Sequence, residues 1–261
     1  MAGDPEIEAG IALLLVVTGV LAGVCNALAG GGTFFTFPAF LGAGLPPVVA
    51  NASNAIAVWP GHAFAAIGYR RELRAHRGGV HGAMAMALAG GLCGALILIF
   101  MEDRSFAQLI PFLLLIATSL FAVGEPLNRW ITAHTGGAQS GAAVLIEHGC
   151  LFLFSLYGGF FSAGLGVILM AGLLMLGVTD LLANNALKTL LGTIVTSVAV
   201  VIFALSGLVS WPHTLLALGG AAVGGVLGAR IAHRLSPLWL RRIVIGVGLS
   251  LSVYYFFVYY G

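Results

Sequence analysis

The sequence predicts an all-α polytopic membrane protein. It is expected to hold about ten membrane helical elements, eight long and two short half-helices after glycine breaks, in two inverted repeats of five. Three observations carry that prediction. The 261 residues are 60% hydrophobic and only 8% charged, with a mean hydropathy of +1.06. Nine of the eleven cations fall on one side of a ten-crossing arrangement. The two halves of the chain also echo each other at a spacing of about 134 residues. A soluble domain is about 25% charged and about 7% glycine; the 38 glycines here are roughly twice that share. So few charges cannot cover a soluble globule of 26.8 kDa. The composition excludes an ordinary cytosolic enzyme and a disordered tail, and without basic patches it excludes a nucleic-acid partner.

A helix needs roughly 20 apolar residues to cross about 30 Å of hydrocarbon. The first such stretch, 9–29, is expected to be a span and not a cleaved leader, because Asp4, Glu6 and Glu8 precede it in place of a basic region. A short apolar piece, 33–43, follows the break at Ala29-Gly30-Gly31-Gly32. Long stretches continue at 46–69, 82–100 and 107–124. The hydrophilic segment around 125–141, with Glu125, Asn128, Arg129 and Gln139, joins the halves, giving a first membrane repeat over 1–127, a cytoplasmic linker over 128–141 and a second repeat over 142–261. The second half begins with 142–164, breaks at Gly164-Leu165-Gly166, and continues with a short piece at 167–176. It then runs through 178–206, 214–232 and 241–260. Tyr254, Tyr255, Tyr259 and Tyr260 close the last span as an interfacial aromatic belt. Cys25, Cys93 and Cys150 all lie in apolar runs, with no metal or disulfide spacing, and read as small buried hydrophobes.

The basic residues choose the topology. With ten crossings, Arg70, Arg71, Arg74, Arg77, Arg129, Arg230, Arg234, Arg241 and Arg242 share one side, while the acidic N-terminus, Glu102, Asp103 and Arg104 lie on the other. With eight crossings, the Arg70–Arg77 and Arg230–Arg242 clusters are separated by the bilayer. The positive-inside rule selects ten crossings with both termini outside.

The repeat matches Ala29-Gly30-Gly31-Gly32-Thr33 with Ala163-Gly164-Leu165-Gly166-Val167, and Ala50-Asn51-Ala52-Ser53-Asn54 with Ala183-Asn184-Asn185-Ala186-Leu187. Five crossings per half make the second repeat enter from the opposite face, the plan of many secondary transporters. Glycines at the breaks admit close backbone approach and expose helix starts, at Thr33 and Val167, whose free N–H groups favour anions. The bland alternative, close helix packing, fits Gly90, Gly91, Gly94, Gly220, Gly224 and Gly228 better.

Gly30, Gly31, Gly32, Thr33, Asn51, Ser53, Asn54, Gly164, Gly166, Asn184, Asn185 and Lys188 are the candidate substrate contacts. The asparagines have two readings, as N-caps of the third element of each half or as amide donors to substrate oxygens. Lys188, the sole lysine, lies inside a long apolar span and needs a partner. Asp180, eight residues earlier, and a transported anion are the alternatives. Cys25, next to Asn26, together with His62, Glu147, His148 and Asp180, is a candidate for gating or coupling, with protons as the coupling ion. His62 follows Trp59-Pro60-Gly61, an expected kink.

Gly23 through Pro38, with its Ala-Gly-Gly-Gly-Thr core, Ala50 through Asn54, Tyr157-Gly158-Gly159 through Gly166, and Asn184 through Lys188 resemble the sulfite exporter TauE/SafE family of membrane transporters. The resemblance runs over nearly the whole chain, and Leu165 departs from a strict glycine triplet. It implies movement of a small sulfur oxyanion or organosulfonate, of the sulfite, thiosulfate or sulfonate class, across the bilayer. The alternative function is an anion or small-solute channel built on paired half-helices. The residues offer no enzyme: Glu147-His148 is not HExxH, and Ser162 lacks the first glycine of GxSxG. They call for no cofactor, and no Walker A pattern points to ATP.

Overall fold

The computed structural model describes residues 7–28, 31–75, 80–134, 141–178, 180–231 and 237–261. Among them every regular element is an α-helix. The chain order is α1 (Ala9–Leu28), α2 (Thr33–Gly42), α3 (Pro47–Gly68), α4 (Arg70–Ala75), α5 (His81–Ile99), α6 (Asp103–His134), α7 (Gly141–Phe160), α8 (Leu165–Met175), α9 (Leu181–Leu205), α10 (Trp211–Ile231) and α11 (Pro237–Tyr260). Among the described residues, five stretches are long and apolar enough to cross a membrane: Ala9–Ala27, His81–Ile99, Asp103–Gly124, Leu182–Leu205 and Arg241–Tyr260. Thr33–Gly42, His148–Phe160 and Leu165–Met175 are shorter apolar helices.

Three departures from the expected boundaries stand out. The polar run of α4 forms an extra helix that apolar scanning does not reach. Helix α6 continues to His134, so the start of the expected 128–141 linker is helical, while 135–140 lie outside the described residues. Helix α7 stops at Phe160, and α8 starts at Leu165, two residues before Val167. Helix α3 runs on through Pro60, where the missing N–H removes one bond of the ladder without ending the helix.

Two kinds of helix pairing build the core. In the first, glycines close parallel pairs. Along α1 and α10, Gly19 meets Ala217, Gly220 meets Val16, Gly224 meets Val20 and Gly228 meets Val24, and a Cβ on any of these glycines would run into the opposite backbone. Along α5 and α7, Gly90 meets Phe152, Gly94 meets Leu156 and Gly159 meets Gly91 in the same way. Small residues let membrane helices approach to backbone contact, where dispersion and weak polar contacts hold them. Each of these pairs joins a helix from the first half of the chain to one from the second.

In the second kind, side chains bridge antiparallel helices. Trp59 Nε1–H donates to Ser197 Oγ (2.8 Å), and Thr193 Oγ1–H donates to the His62 carbonyl (3.0 Å), which orders α3 against α9. Arg241 Nε–H donates to the Phe121 carbonyl (2.9 Å), and the Tyr260 hydroxyl donates to the Gln108 carbonyl (3.1 Å), which orders α11 against α6. Exchanging α1 with α7, α2 with α8, α3 with α9, α5 with α10 and α6 with α11 turns these pairings into one another, and also turns α1–α2 into α7–α8 and α2–α3 into α8–α9. The same exchange carries Gly31 against Val244 into Gly164 against Ala117.

Phenylalanines fill the centre: Phe37 stands edge-on to Phe106 and Phe161, and Phe106 to Phe160. Large apolar side chains such as Leu13, Leu92, Phe112 and Val226 face outward, a surface suited to lipid and not to water. The Val48 N–H donates to Asp103 Oδ1 (2.9 Å), so α3 and α6 start at the same end. Arg70 and Arg71, which follow α3, therefore share the opposite end with Arg241 and Arg242 at the start of α11.

Candidate functional site

The site is assembled around two interruptions and the α3–α9 contact. At the first, Gly31 has φ +91°, open to glycine but strained for other residues. A Cβ there would lie 3.0 Å from Phe121 and 3.2 Å from Val244. The Gly32 N–H donates to Asn26 Oδ1 (2.8 Å), anchoring the turn to α1, and Thr33 opens α2 in a buried position. Ala29 and Gly30 lie outside the described residues. At the second, the Tyr157 hydroxyl donates to the Ala163 carbonyl (2.9 Å) and Gly164 takes φ +76°. Gly166 faces open space, and its amide has no partner among the described residues.

The asparagines tie helices together and do not cap their own. Asn51 Nδ2–H donates to the Phe160 carbonyl (2.8 Å), closing the end of α7 beside the second break. Asn184 Nδ2–H donates to the carbonyls of Met170 (3.3 Å) and Val178 (3.0 Å), pinning α9 to α8. Asn54 Oδ1 accepts from the Thr36 hydroxyl of α2, and Ser53 Oγ accepts from the Ser210 N–H (3.0 Å). All four are buried, and two polar groups remain over, Asn54 Nδ2 and Asn184 Oδ1. None caps its own helix. Pro47 supplies the first residue of α3 with its φ pre-set, and the next amide is capped by Asp103 of α6. Asp180 caps α9 by accepting from the Ala183 N–H (2.7 Å).

That cap also removes the expected Asp180–Lys188 pair. At 3.6 residues per turn, eight residues leave the two side chains about 80° apart around the axis. Asp180 is exposed at the helix start, and Lys188 has no hydrogen-bond or ion-pair partner among the described residues. Lys188 instead belongs to a polar stripe on α9, with Asn185, Thr189, Gly192, Thr193, Thr196 and Ser197 recurring every three or four residues. The Thr193–Ser197 edge of it faces α3 through His62 and Trp59, about 140° and 180° around the axis from Lys188, and the His62 ring lies beside Gly192, whose added Cβ would be 3.9 Å from Nδ1. The threonines return their hydroxyls to carbonyls one turn back, as in Thr189 to Asn185 (2.7 Å) and Thr196 to Gly192 (2.8 Å), which keeps a polar surface tolerable inside an apolar helix.

The other coupling candidates sit elsewhere. Cys25 is buried in the main core. His148 belongs to the α5–α7 pair, where a Cβ on Gly82 would strike its ring. Glu147 lies in α7, and its side chain is outside the described residues. Trp59, Thr193 and Ser197 escaped the sequence reading, although the helical spacing of Asn185, Thr189, Thr193 and Ser197 was the signal for two of them.

The profile described as Sulfite exporter TauE/SafE matches residues 15–255. Among curated relatives, the probable membrane transporter protein ORF9 of Sinorhizobium sp is 26% identical over 239 residues, covering 92% of this chain and 90% of the relative. The probable membrane transporter protein YfcA of Escherichia coli (strain K12) is 25% identical over 92% of this chain and 87% of its own length. A probable membrane transporter protein of Haemophilus influenzae is 24% identical over 91% of this chain and 92% of its own length. No solved structure matches. A glycine-broken helical bundle matched from residue 15 to residue 255 by one profile belongs to the sulfite exporter TauE/SafE family of membrane transporters.

Proposed function

We propose that this chain is a secondary transporter of a small sulfur-containing anion, of the sulfite, thiosulfate or organosulfonate class, working by alternating access across a bacterial inner membrane. The observation that carries the reading is Lys188, the chain's sole lysine, on the polar stripe of α9 and without a partner among the described residues. A cation at such a place costs about 2.5–3.5 kcal/mol on insertion scales, and a transported anion offsets that cost when it binds. Gly31, Gly32 and Thr33 at one break, and Gly164 and Gly166 at the other, supply backbone donors and room for close approach. Asn51 braces the second break, Asn54 and Asn184 hold α3 to α2 and α9 to the end of α8, Ser53 holds the segment before α10, and His62 adds a titratable group next to the stripe.

The exchange symmetry of the helix contacts supports two inverted repeats with ten crossings, the arginine end inside and both termini outside. Alternating access then moves two bodies that each mix the halves. One is α1, α2, α3 and α10; the other is α5, α7, α8 and α9.

The test is uptake into proteoliposomes of sulfite, thiosulfate and a sulfonate, with and without a pH gradient. Saturable uptake with counterflow is expected, and Lys188→Gln is expected to lower uptake at least tenfold while the protein still elutes as wild type in gel filtration. Non-saturating flux without counterflow selects a channel. Unchanged transport and affinity in Lys188→Gln sinks the assignment of the lysine.

A further inference from the structure

We propose that a second anion site, specific for anions with an apolar body, lies at the arginine end of the bundle with Arg70 and His81 as its head-group ligands. The ligand class follows from the site itself. A cavity of about 510 Å³ opens there between the end of α3, α4, the start of α5 and α9. Its walls include Ala66, Leu73, Met84 and Leu187, and among the described residues its ionisable lining groups are Arg70 and His81. His81 is the first residue of α5, whose N-cap, Val80, makes no side-chain cap. The helix start therefore adds partial positive charge beside the two side chains.

Size decides what this cavity takes. At roughly 30 Å³ per water-sized group, a bare tetrahedral oxyanion fills on the order of 100 Å³. Most of the cavity and all of its apolar wall would be left over. An anion carrying a short alkyl chain places its head on Arg70 and His81 and its chain on Leu73, Met84 and Leu187. Leu187 and Leu190 bring α9 into the cavity wall, about 100° and 160° around the helix axis from Lys188, so the site is separate from the Lys188 side chain.

The experiment is calorimetric titration of the purified full chain, in phosphatidylcholine nanodiscs, with methanesulfonate, ethanesulfonate and butanesulfonate. Binding is expected to tighten about fourfold per added methylene, and Arg70→Gln is expected to weaken butanesulfonate binding tenfold or more. Met84→Trp, which fills the cavity and leaves both head-group ligands, is expected to abolish the chain-length dependence. Lys188→Gln is expected to block uptake yet keep this binding. If the chain-length trend is absent, or if Arg70→Gln and Met84→Trp leave it intact, the site is wrong, even where sulfur-anion uptake by wild type is sound. If uptake fails and the Arg70-dependent trend persists, the transporter reading falls and the site stands. Nanodiscs with phosphatidylglycerol supply the lipid source of the same chemistry, and if that lipid fills the cavity and butanesulfonate never displaces it, the proposed site is overturned.

Discussion

Replacing Gly224 by alanine separates backbone-tight packing from ordinary helix contact. A Cβ at Gly224 would lie 2.7 Å from the Val20 carbonyl carbon and 2.8 Å from its Cα, and closer still to its oxygen. Carbon atoms settle at about 3.5–4.0 Å, so α1 and α10 must part by roughly 1 Å. A gap of that size forfeits about a quarter to a half of each contact along the pair, and overpacking of this kind costs about 1–3 kcal/mol. Alanine returns at most about 1 kcal/mol through helix preference. The net expectation is a loss of about 1–2 kcal/mol. Gly94→Ala in α5 meets Phe160 N at 2.7 Å and the Leu156 carbonyl carbon at 3.0 Å, so it should lose a similar amount. Gly219→Ala, with nothing within 4 Å, should be neutral or gain up to about 1 kcal/mol. Equilibrium unfolding in mixed micelles reads all three. Should Gly224→Ala prove as stable as Gly219→Ala, the account of the parallel pairs is refuted, and unequal losses at Gly94 and Gly224 would deny that the two pairs are equivalent.

Two further outcomes are expected. Thr36→Val removes the donor to Asn54 inside a site with no solvent access, so it should destabilise by about 1–3 kcal/mol; Thr36→Val combined with Asn54→Leu should recover most of that loss, and strict additivity in the unfolding cycle would count against the pair. Bridging Trp59→Cys to Ser197→Cys with a short thiol crosslinker should stop transport reversibly in a background without Cys25, Cys93 and Cys150, and full uptake by the bridged protein would show that α3 and α9 need not part.

Much of the scaffold was legible because its causes are local. Apolar length marked the helices, and glycine triplets and pairs marked the breaks, where Gly31 and Gly164 do take positive φ. The packing role of Gly90, Gly94, Gly220 and Gly224 was also legible, since small residues at helical spacing have few other uses inside an apolar span. What stayed hidden depends on partners far apart in sequence. Nothing local says that Asn51 will meet the Phe160 carbonyl, 109 positions away, or that Asp103 will cap α3. Lys188 stands out in sequence as the sole lysine, but a pairing with Asp180 read from sequence distance fails on helix angle. The boundary of α6 failed for a different reason: polar residues after 124 ended the apolar signal, while the backbone kept its helix to His134.

The contacts also bear on how such a bundle would move. A sequence repeat invites the picture of two halves rocking as blocks. Yet α1 is locked to α10 and α5 to α7 by glycines at backbone distance, and those locks cross the halves. Sliding either pair would lift several glycine contacts at once. The α3–α9 contact is of another kind, held by the Trp59–Ser197 and Thr193–His62 hydrogen bonds. Each is worth about 0.5–1.5 kcal/mol net, and water or an arriving anion replaces them readily. Under alternating access, the seam therefore opens along α3–α9 before it opens along α1–α10 or α5–α7. His62 lies on that seam beside Gly192, one turn from Lys188 on the same side of α9, so the charge that would draw an anion in lies next to where the two bodies would separate.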